Sequence, residues 1–455
     1  MMPVTLSQLA RWSDGSLIQG RPADTVGSIS TDSRKLEPGQ VFLALKGDRF
    51  NAHDFLGEVG ASGVSAMVVS ELNRDTESYE GGVVRVADSL KALQRIAFHH
   101  RRNSPGLYAI GVTGSNGKTS TKDFLTASLS AAGRVCGTAG NLNNHIGLPL
   151  TILSGNGEEH FGVWEMGMNH PGEIEVLAEI AQPDAAVITH IGTAHIEHMG
   201  SREAIAAEKC ELALAVPSSG FCAMPAGDDF YGYVAERVSC EMVSAGIDTG
   251  DVRAEGLNTE TAGMTRFRLC SDFDGPPEVC LPVKGRHMVV NALLAAAVAL
   301  RQGISPDKIA ERLSAAELSG GRLQERAVGG FDFLDDSYNA NPDSMLAAIE
   351  TLRDSNVAGR RVAVLGFMGE LGEHEEPAHL KLGSALSENG IDVLVTVGDR
   401  ASRINEGAEG VGQSHQFDSH EEAADFLKGF LNGDDLVLVK GSRAAGMEKV
   451  IENLK

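Results

Sequence analysis

A glycine-rich turn is the clearest chemical feature of the chain. Residues 113–119 read Thr-Gly-Ser-Asn-Gly-Lys-Thr and follow the apolar run 107–112, which predicts a strand, a turn and then a helix. Such a turn leaves backbone N–H groups free at the positive end of a helix, where a polyphosphate can bind. The Lys118 amine can reach the β- and γ-phosphates, and the Thr119 hydroxyl can bind Mg²⁺. In the common G-x-x-x-x-G-K-[ST] loop the first glycine would fall at position 112, where this chain has valine, so the loop here is shorter. This departure indicates a smaller set of nucleotide-binding enzymes than a match to the common loop would.

Candidate metal ligands follow two later strands. Glu165 ends the predicted strand 162–165, and a carboxylate there, beside the phosphate loop, is well placed to hold the Mg²⁺ of a nucleotide. His195 and His198 follow the predicted strand 185–189, and either could bind a metal ion. From spacing alone, Glu165 could equally be a solvated loop residue, and each histidine could be only a hydrogen-bonding group.

The same stretch of chain contains weaker candidates. Lys209 lies on a predicted helix, where a lysine is ordinarily a surface residue. His287 and Asn291 are one helical turn apart and could either hydrogen-bond an adenine edge or pack against the alanines of their helix. Side-chain amides suit neutral polar ligands or tight turns. Three of them occur close together, at Asn141, Asn143 and Asn144.

Polar clusters also follow two strands near the C-terminus. Residues 335–342 read Asp-Asp-Ser-Tyr-Asn-Ala-Asn-Pro and precede a predicted helix, which Asp343 could cap. Lys440 ends the last predicted strand and is followed by Gly-Ser-Arg. Because open α/β folds bind ligands at the carboxyl edge of a parallel sheet, we expect both clusters to lie at such an edge.

Composition excludes several classes of protein. The 455 residues carry a formal net charge of −23, which argues against a nucleic-acid-binding protein and against adhesion to anionic membranes. Six cysteines are scattered without a C-x-x-C pair, which is typical of a reduced, cytoplasmic protein. The N-terminus has no basic or long apolar region, and no run of about 18 apolar residues occurs, so we expect neither secretion nor membrane insertion.

The order of predicted strands and helices divides the chain into three α/β domains. Residues 1–87 mix short strands with turns and form a small N-terminal domain. Residues 88–317 alternate strands and helices, which predicts a mostly parallel sheet of the phosphate-loop ATPase kind, with flanking antiparallel strands between about 238 and 285. Residues 318–455 predict a smaller Rossmann-like domain that can move relative to the central one. Its helices are expected at about 343–353, 376–388, 420–431 and 443–453.

Several strings occur together, in one order, along almost the whole chain. They are the phosphate loop, Gly140-Asn-Leu-Asn-Asn, Glu165-Met-Gly-Met-Asn-His-Pro-Gly-Glu, Asp336-Ser-Tyr-Asn-Ala-Asn-Pro and Lys440-Gly-Ser-Arg. Taken together they resemble the Mur ligase family, the ATP-dependent enzymes that add amino acids to the peptidoglycan precursor. Within this family the chain is most similar to the ligases that join UDP-N-acetylmuramoyl-tripeptide to D-alanyl-D-alanine.

The resemblance implies a role for each matching residue. Lys118 would bind the γ-phosphate, with Thr119 and Glu165 on one Mg²⁺ and His195 on a second. Lys209 matches the lysine that the family carbamylates, and a carbamate is an anion that can bind metal. The implied catalytic set is therefore Lys118, His195 and Lys209. The other implied nucleotide contacts are Gly114, Ser115, Asn116, Gly117, Ser120, His287, Asn291, Arg322, Asp336 and Tyr338.

The N-terminal domain resembles the UDP-binding domain of the family. The match comprises Thr31-Asp-Ser-Arg34, Phe42-Leu-Ala-Leu-Lys-Gly47 and His53-Asp-Phe. Asn51-Ala52 stands where Asp-Gly is usual, so contacts are expected from Ser33 and Lys46 rather than from residues 51–52. The implied substrate-binding residues are Ser33, Arg34, Lys46, Asn141, Asn143, Asn144, Asn339, Asn341, Lys440, Ser442 and Arg443.

The resemblance also implies a reaction. ATP would phosphorylate the terminal carboxylate of the tripeptide, and the amine of D-alanyl-D-alanine would attack the resulting acyl phosphate. The implied cofactors are ATP and two Mg²⁺, with Lys209 carbamylated. We expect a cytoplasmic monomer with no nucleic-acid partner.

Two alternatives stay open at this point. One is another amino-acid ligase of the superfamily, either the Mur ligase that adds the third residue or folylpolyglutamate synthase. The third-residue ligase usually carries Asp-Asn-Pro-Arg, whereas Asn339-Ala-Asn-Pro-Asp here favours a dipeptide acceptor. The other is a non-catalytic nucleotide or UDP-sugar sensor, which would be expected to have lost at least one member of the set Lys118, Glu165, His195 and Lys209.

Overall fold

Three large sheets organise the part of the chain that the computed structural model describes, residues 1–259 and 263–454. Each large sheet lies inside one of the three domains expected from the sequence, whose boundaries stay a prediction. No helix in the described residues is long and apolar enough to cross a membrane.

Short apolar strands build the N-terminal region. The strands are β1 (Val4–Thr5), β2 (Ser16–Gln19), β3 (Thr25–Val26), β4 (Ile29–Ser30), β5 (Val41–Leu43), β6 (Ala66–Val69) and β7 (Gly82–Arg85). The α-helices are α1 (Leu6–Trp12), α2 (Leu56–Ala61) and α3 (Arg74–Ser78), and short 3₁₀ turns cover Ser33–Lys35 and Ala52–Phe55. The next helix, α4 (Ser89–Arg102), begins the range expected for the central domain. The main sheet has the order β2-β7-β6-β5-β4, while β1 pairs with β3. Side chains alternate between two faces, so Val41 packs in one apolar cluster with Leu93 and Phe42 in another with Leu56.

The central region carries the largest sheet, in the order β16-β15-β14-β13-β12-β11-β8-β10-β9. Its strands are β8 (Tyr108–Thr113), β9 (Val135–Gly137), β10 (Phe161–Glu165), β11 (Ala185–Ile188), β12 (Phe221–Pro225), β13 (Glu241–Ile247), β14 (Val252–Asn258), β15 (Thr265–Cys270) and β16 (Glu278–Leu281). Its helices are α5 (Lys118–Leu129), α6 (Gly147–Ser154), α7 (Glu173–Ala181), α8 (Ile196–Met199), α9 (Arg202–Leu214), α10 (Tyr231–Ala235), α11 (Arg286–Arg301) and α12 (Pro306–Ser314).

Helices cover both faces of the central sheet. Ile110 and Val112 of β8 pack with Phe124 of α5 and Leu293 of α11, whereas Ala109 faces the cluster that contains Leu177 of α7. The antiparallel strands expected near 238–285 are present as β14, β15 and β16, but they extend the central sheet. β13 differs from the expectation, because it pairs in parallel with β12 and β14.

The C-terminal region repeats the α/β alternation around a sheet of order β17-β18-β22-β19-β20-β21. Its strands are β17 (Gln324–Val328), β18 (Phe331–Asp336), β19 (Arg361–Leu365), β20 (Val393–Val397), β21 (Gln413–Phe417) and β22 (Leu436–Lys440). Its α-helices are α13 (Pro342–Asp354), α14 (Glu375–Glu388), α15 (Ser402–Gly407), α16 (His420–Phe430) and α17 (Glu448–Glu452), and 3₁₀ turns cover Gly372–His374, Asp399–Ala401 and Arg443–Ala445. The helix expected at 443–453 is wrong in its first part, because Gly446 has φ 60° and separates the turn Arg443–Ala445 from α17.

Candidate active site

One cavity of about 990 Å³ lies between the central and C-terminal regions. The carboxyl ends of β8, β10 and β11 face it from one side, and those of β18 and β22 face it from the other. Most of the site residues predicted from the sequence line this cavity. They are Ser115, Asn116, Gly117, Lys118, Thr119, Ser120, Asn141, Asn143, Asn144, Glu165, His195, His287, Asn291, Arg322, Asp336, Tyr338, Asn339, Asn341 and Lys440.

Two glycines give the phosphate loop its shape. Gly114 has φ 154°, and a Cβ atom there would lie 1.9 Å from the Thr189 hydroxyl. Gly117 has φ 81°, and a Cβ atom there would lie 2.5 Å from the Asn291 amide oxygen. Neither position accepts a side chain without displacing a neighbour. Gly114 does not line the cavity, but its carbonyl accepts a hydrogen bond from the Lys118 amine at 2.6 Å.

The start of α5 is open to an anion. Its N-cap, Gly117, has no side chain to satisfy the free N–H groups of the first turn, so these groups stay available. Burial lowers the pKa of Lys118 from its ordinary value, and Arg322 adds to this, while the Glu165 carboxylate opposes it. A phosphate placed here would receive both the backbone donors and the Lys118 amine.

Glu165 is held by two neighbours at the floor of the cavity. The Thr119 hydroxyl donates to one carboxylate oxygen at 2.8 Å, and the Asn143 amide donates to the other at 2.8 Å. A hydroxyl and a carboxylate in contact are the hard oxygen ligands that Mg²⁺ prefers, so these residues fit that ion. No group of three or more His, Cys, Asp or Glu side chains in the described residues could hold a metal ion alone. Mg²⁺ sites commonly use one or two carboxylates, with phosphates and water as the other ligands.

Lys209 is buried, with 1% of its surface exposed, so it does not have the surface position that is ordinary for a lysine on a helix. It faces the interior from α9, next to Glu208, whose carboxylate accepts the N–H groups of Gly172 and Ile174. Within the described residues the Lys209 amine has no hydrogen bond or ion pair, and it does not line the cavity. Burial, reinforced by the nearby Lys118, holds the pKa of Lys209 well below its ordinary value. This burial makes it easier for the amine to lose its proton than for an exposed lysine.

The two candidate histidines have different surroundings. His195 lines the cavity, and its backbone has a φ of 62°. Its Nδ1 lies 2.5 Å from Oε2 of Glu370, a residue of the C-terminal region. That hydrogen bond lowers the pKa of Glu370. His198 instead stacks on His170, with 4.7 Å between the ring centroids. The structure thus favours His195 as the functional histidine.

The imidazole of His287 and the amide of Asn291 line the same part of the cavity. Burial lowers the pKa of His287 to about 4, so the ring is neutral at physiological pH. The Arg322 guanidinium lies over the ring of Tyr338, 4.4 Å from its centroid. These flat groups form a pocket wall suited to a planar heterocycle.

The buried Lys440 and the partly exposed Asp336 form an ion pair at the C-terminal wall, with 2.6 Å between the amine and the carboxylate. The other Asp336 oxygen accepts the N–H of Leu323 at 3.2 Å, and the Lys440 amine also donates to the carbonyl of Asn339 at 2.9 Å. Ser442 and Arg443 follow but do not line the cavity. The Arg443 side chain pairs with Glu448 at 2.9 Å, while the Ser442 hydroxyl is buried without a hydrogen-bond partner in the described chain.

Side chains of the two regions hydrogen-bond across the cavity rim. Asn116 and Asn341 exchange amide hydrogen bonds of 3.2 and 2.8 Å. Asp343 accepts the N–H and the hydroxyl of Thr193, at 2.8 and 2.9 Å. The cap expected from Asp343 is wrong, because Asn341 caps α13 through a capping box with Ser344. Asparagine before Pro342, with serine three residues after the asparagine, is a sequence signal for such a cap, whereas no local signal indicated the partner Thr193.

The predicted residues of the N-terminal region lie outside this cavity. Ser33 starts a 3₁₀ turn, and Arg34 pairs with Asp32 at 2.8 Å on the surface. The exposed Lys46 pairs with Glu71 at 2.7 Å. Asn51, set aside on sequence grounds, lies beside this pair, and its amide donates to Glu71 at 3.4 Å.

Comparison with known proteins identifies the family. Residues 112–299 match the Mur ligase middle domain, and residues 321–443 match the Mur ligase glutamate ligase domain. The UDP-N-acetylmuramoyl-tripeptide--D-alanyl-D-alanine ligase of Bacillus subtilis is 36% identical over 460 residues, covering 100% of this chain and 99% of the relative. The chain belongs to the Mur ligase family. It is therefore a ligase that forms C–N bonds, as the sequence predicted.

Solved structures of Mur ligases confirm the predicted α/β fold class. MurF from Acinetobacter baumannii superposes with a TM-score of 0.91 at 36% identity, covering 100% of this chain and 99% of that one. MurF ligase from Thermotoga maritima, solved in complex with ADP, gives 0.84 at 30% identity, covering 94% and 96%. Folylpolyglutamate synthase from Mycobacterium tuberculosis, at 18% identity and a TM-score of 0.63, shares the fold alone.

Proposed function

We propose that this Mur ligase joins D-alanyl-D-alanine to UDP-N-acetylmuramoyl-tripeptide, with ATP as the energy source, in the synthesis of the peptidoglycan precursor. The observation that carries the proposal is the cavity in which the phosphate loop and the Thr119–Glu165 pair face Lys440 and Asp336. The full-length similarity to a relative named for this activity supports the two substrates. The structure of a similar ligase in complex with ADP supports the use of ATP as the nucleotide.

The nucleotide would bind along the inner wall of the cavity. The phosphates would lie over residues 114–120, with the Lys118 amine on the γ-phosphate. The neutral ring of His287 and the amide of Asn291 offer donors and acceptors for adenine. Tyr338 would lie near the base, and Arg322 and Asp336 would contact phosphate or ribose.

The Thr119–Glu165 pair fits one of the two magnesium ions that the family resemblance implies. The second ion would be held by His195, which lines the cavity, with a carbamylated Lys209 as a further ligand. Burial lowers the pKa of Lys209 and so favours the unprotonated amine, which is the form that reacts with carbon dioxide because a protonated amine has no lone pair. Bound Mg²⁺ would neutralise charge between the carboxylate and the γ-phosphate, which otherwise repel each other.

The reaction then proceeds in two displacements. A carboxylate oxygen of the tripeptide attacks the γ-phosphorus, ADP leaves, and an acyl phosphate forms. The unprotonated amine of D-alanyl-D-alanine attacks the acyl carbon, the nitrogen releases one proton to solvent, and the tetrahedral intermediate expels phosphate to leave the amide. Lys118 stabilises the charge on the transferred group. The substrate-binding set would comprise Asn141, Asn143, Asn144, Asn339, Asn341, Lys440, Ser442 and Arg443 near the cavity, with Ser33, Arg34 and Lys46 on the UDP portion.

Contacts between the two regions suit a reaction that must exclude water. Two pairs of side chains join the central region to the start of α13. The phosphate loop contributes Asn116, which pairs with Asn341, and the loop after β11 contributes Thr193, which pairs with Asp343. An acyl phosphate is readily hydrolysed, so a docked C-terminal domain would protect it.

A substrate panel tests the proposal. Phosphate release from ATP would be measured with purified UDP-N-acetylmuramoyl-tripeptides that end in lysine or diaminopimelate, with and without D-alanyl-D-alanine. The panel also includes the UDP-N-acetylmuramoyl-dipeptide with lysine or diaminopimelate, and folate with glutamate. We expect release that requires both substrates and a product of the mass of the joined species. Release only with the dipeptide precursor and a third amino acid, or only with folate and glutamate, would contradict the proposal in favour of another ligase. No ATP turnover with any pair would favour a sensor. The preferred tripeptide would also identify the third residue.

A further inference from the structure

A carboxylate of the C-terminal region contacts His195 directly. Glu370 lies in the loop after β19, and its Oε2 is 2.5 Å from Nδ1 of His195. The same loop lies against α8, where the N–H of Glu197 donates to the Glu370 carbonyl at 3.4 Å. A Cβ atom on Gly372 would lie 3.1 Å from Cγ of Glu197, which shows how closely the two loops approach.

The contact determines which nitrogen of His195 is free. A carboxylate accepts hydrogen bonds and cannot donate, so Nδ1 must carry the proton. In a neutral ring with this tautomer, Nε2 keeps its lone pair, which is the state of an imidazole that binds a metal ion. A carboxylate behind a metal-binding histidine is a recurrent arrangement that orients the ring and raises its basicity.

Both residues are held in unusual backbone conformations. His195 has φ 62° and Glu370 has φ 60°, in the left-handed region that residues other than glycine rarely adopt. The Glu370 side chain is 53% exposed, so burial does not explain its conformation. The two other histidines nearby have different partners. His170 lies 3.6 Å from Glu173 and its ring stacks on His198, whereas His195 is the histidine that contacts Glu370.

We propose that Glu370 is a positioning residue that couples docking of the C-terminal domain to the metal-binding state of His195. When the domain is docked, Glu370 fixes the ring and the tautomer so that Nε2 is available to the second metal ion. When the domain is undocked, the ring is free and the second ion binds more weakly. The inference rests on the proposed role of His195 as a metal ligand.

Manganese binding tests the inference without catalysis. The full-length protein would be titrated with Mn²⁺ in the presence of a non-hydrolysable ATP analogue, and bound ions counted by electron paramagnetic resonance. We compare Glu370→Ala and Glu370→Gln with Glu325→Gln. Glu325 pairs with Lys284 across the same two regions at 2.8 Å but does not contact His195, so its variant is the matched control.

We expect the wild type to bind two ions. Glu370→Ala should weaken the second ion about tenfold or more and leave the first unchanged, because outer partners of metal ligands typically contribute 10–100-fold. Glu370→Gln should keep part of the affinity, since its amide oxygen can still accept from Nδ1. Glu325→Gln should bind both ions like the wild type.

Three results would overturn the inference: a wild type that binds a single ion, a Glu370→Ala variant that binds two ions normally, or an equal loss in Glu325→Gln. The last would mean that docking alone, and not the His195 contact, holds the ion. The ligase assay separates this inference from the proposed function. If the variants bind Mn²⁺ as expected but the wild type does not join UDP-N-acetylmuramoyl-tripeptide to D-alanyl-D-alanine, only the proposed function is contradicted. If the wild type joins them but Glu370→Ala binds the second ion as the wild type does, only the inference is contradicted.

Discussion

The phosphate-loop cavity and the N-terminal surface use charged side chains in opposite ways. In the cavity region, Lys209 and Lys440 are buried, and Lys440 is held by a carboxylate and a carbonyl. On the N-terminal surface, Arg34 and Lys46 are exposed, and each is paired with a neighbouring carboxylate. Buried charges are unfavourable unless something compensates them, whereas exposed pairs contribute little and exchange easily. We therefore propose that the cavity is preorganised for chemistry and that the N-terminal surface contributes to substrate binding alone.

The largest expected effect comes from the cavity. Lys118→Ala should lower ATP-dependent phosphate release by about 10³-fold or more, because it removes the amine aimed at the transferred phosphate. Circular dichroism and thermal melting should show an unchanged fold. The exposed Lys91→Ala on α4 serves as the control and should keep full activity. An unchanged rate in Lys118→Ala would contradict the role given to the loop.

Lys209→Ala should lower phosphate release by about 10²-fold, since an ion ligand and its charge are lost. Added short-chain carboxylates should restore part of the rate by entering the space of the carbamate. The same carboxylates should not restore the rate of Lys118→Ala, because that variant lacks a cationic amine and not a carbamate. Full activity of Lys209→Ala without rescue would refute the carbamate role.

Asn341→Asp sharpens the comparison at the domain contact. Aspartate caps a helix as well as asparagine does, but it cannot donate to Asn116 and it adds a negative charge near the phosphates. We expect kcat/KM for ATP to fall about tenfold. Asn73→Asp changes another capping asparagine, at α3, and should leave the kinetics unaltered. Equal behaviour of the two variants would show that the amide pair does not matter.

The pH dependence of stability tests the burial of His287. Its pKa is about 4 in the folded protein against an ordinary 6.5. Between these values the unfolded chain binds a proton that the folded chain does not, so stability falls as pH falls from 6.5 to 4. At pH 5.5 this loss is about 1 kcal/mol. His287→Gln should abolish that part of the loss in denaturant unfolding, and the exposed His374→Gln should not.

The smallest effect is expected on the N-terminal surface. Lys46→Ala should raise KM for the UDP precursor about threefold and leave kcat unchanged, because it removes binding that is equal in the ground and transition states. Arg21→Ala breaks another exposed pair of this region, with Asp24 at 3.3 Å, and should leave KM unchanged. A lowered kcat in Lys46→Ala would mean that the two regions are not divided between binding and chemistry.

The site residues that could be predicted from the sequence belong to short continuous motifs at the ends of strands. Lys118 and Thr119 follow the strand β8, and Glu165 ends the adjacent strand β10, so the topology of a parallel sheet brings them to one edge. The same reasoning assigns Asp336 and Lys440 to the ends of the adjacent strands β18 and β22. The general α/β order was predictable for the same reason, because buried parallel strands read as continuous apolar runs.

Contacts between distant loops were not predictable in this way. His195 and Glu370 are 175 residues apart, and no periodicity links them. Burial of Lys209 was hidden because the buried face of α9 also carries the charged Glu208 where apolar residues are usual. β17 and β21 are partly exposed edge strands of mixed polarity, without the apolar run that marks a central strand.

Transfer of oxygen from the tripeptide to phosphate tests the central claim most directly. UDP-N-acetylmuramoyl-tripeptide labelled with ¹⁸O in its terminal carboxylate would be incubated with ATP, Mg²⁺, D-alanyl-D-alanine and the protein, and the released phosphate analysed by mass spectrometry. An acyl phosphate carries one carboxylate oxygen away with the phosphate when the amine attacks carbon. We predict one ¹⁸O atom in the phosphate for each pentapeptide product formed. Product formation with unlabelled phosphate would contradict the account.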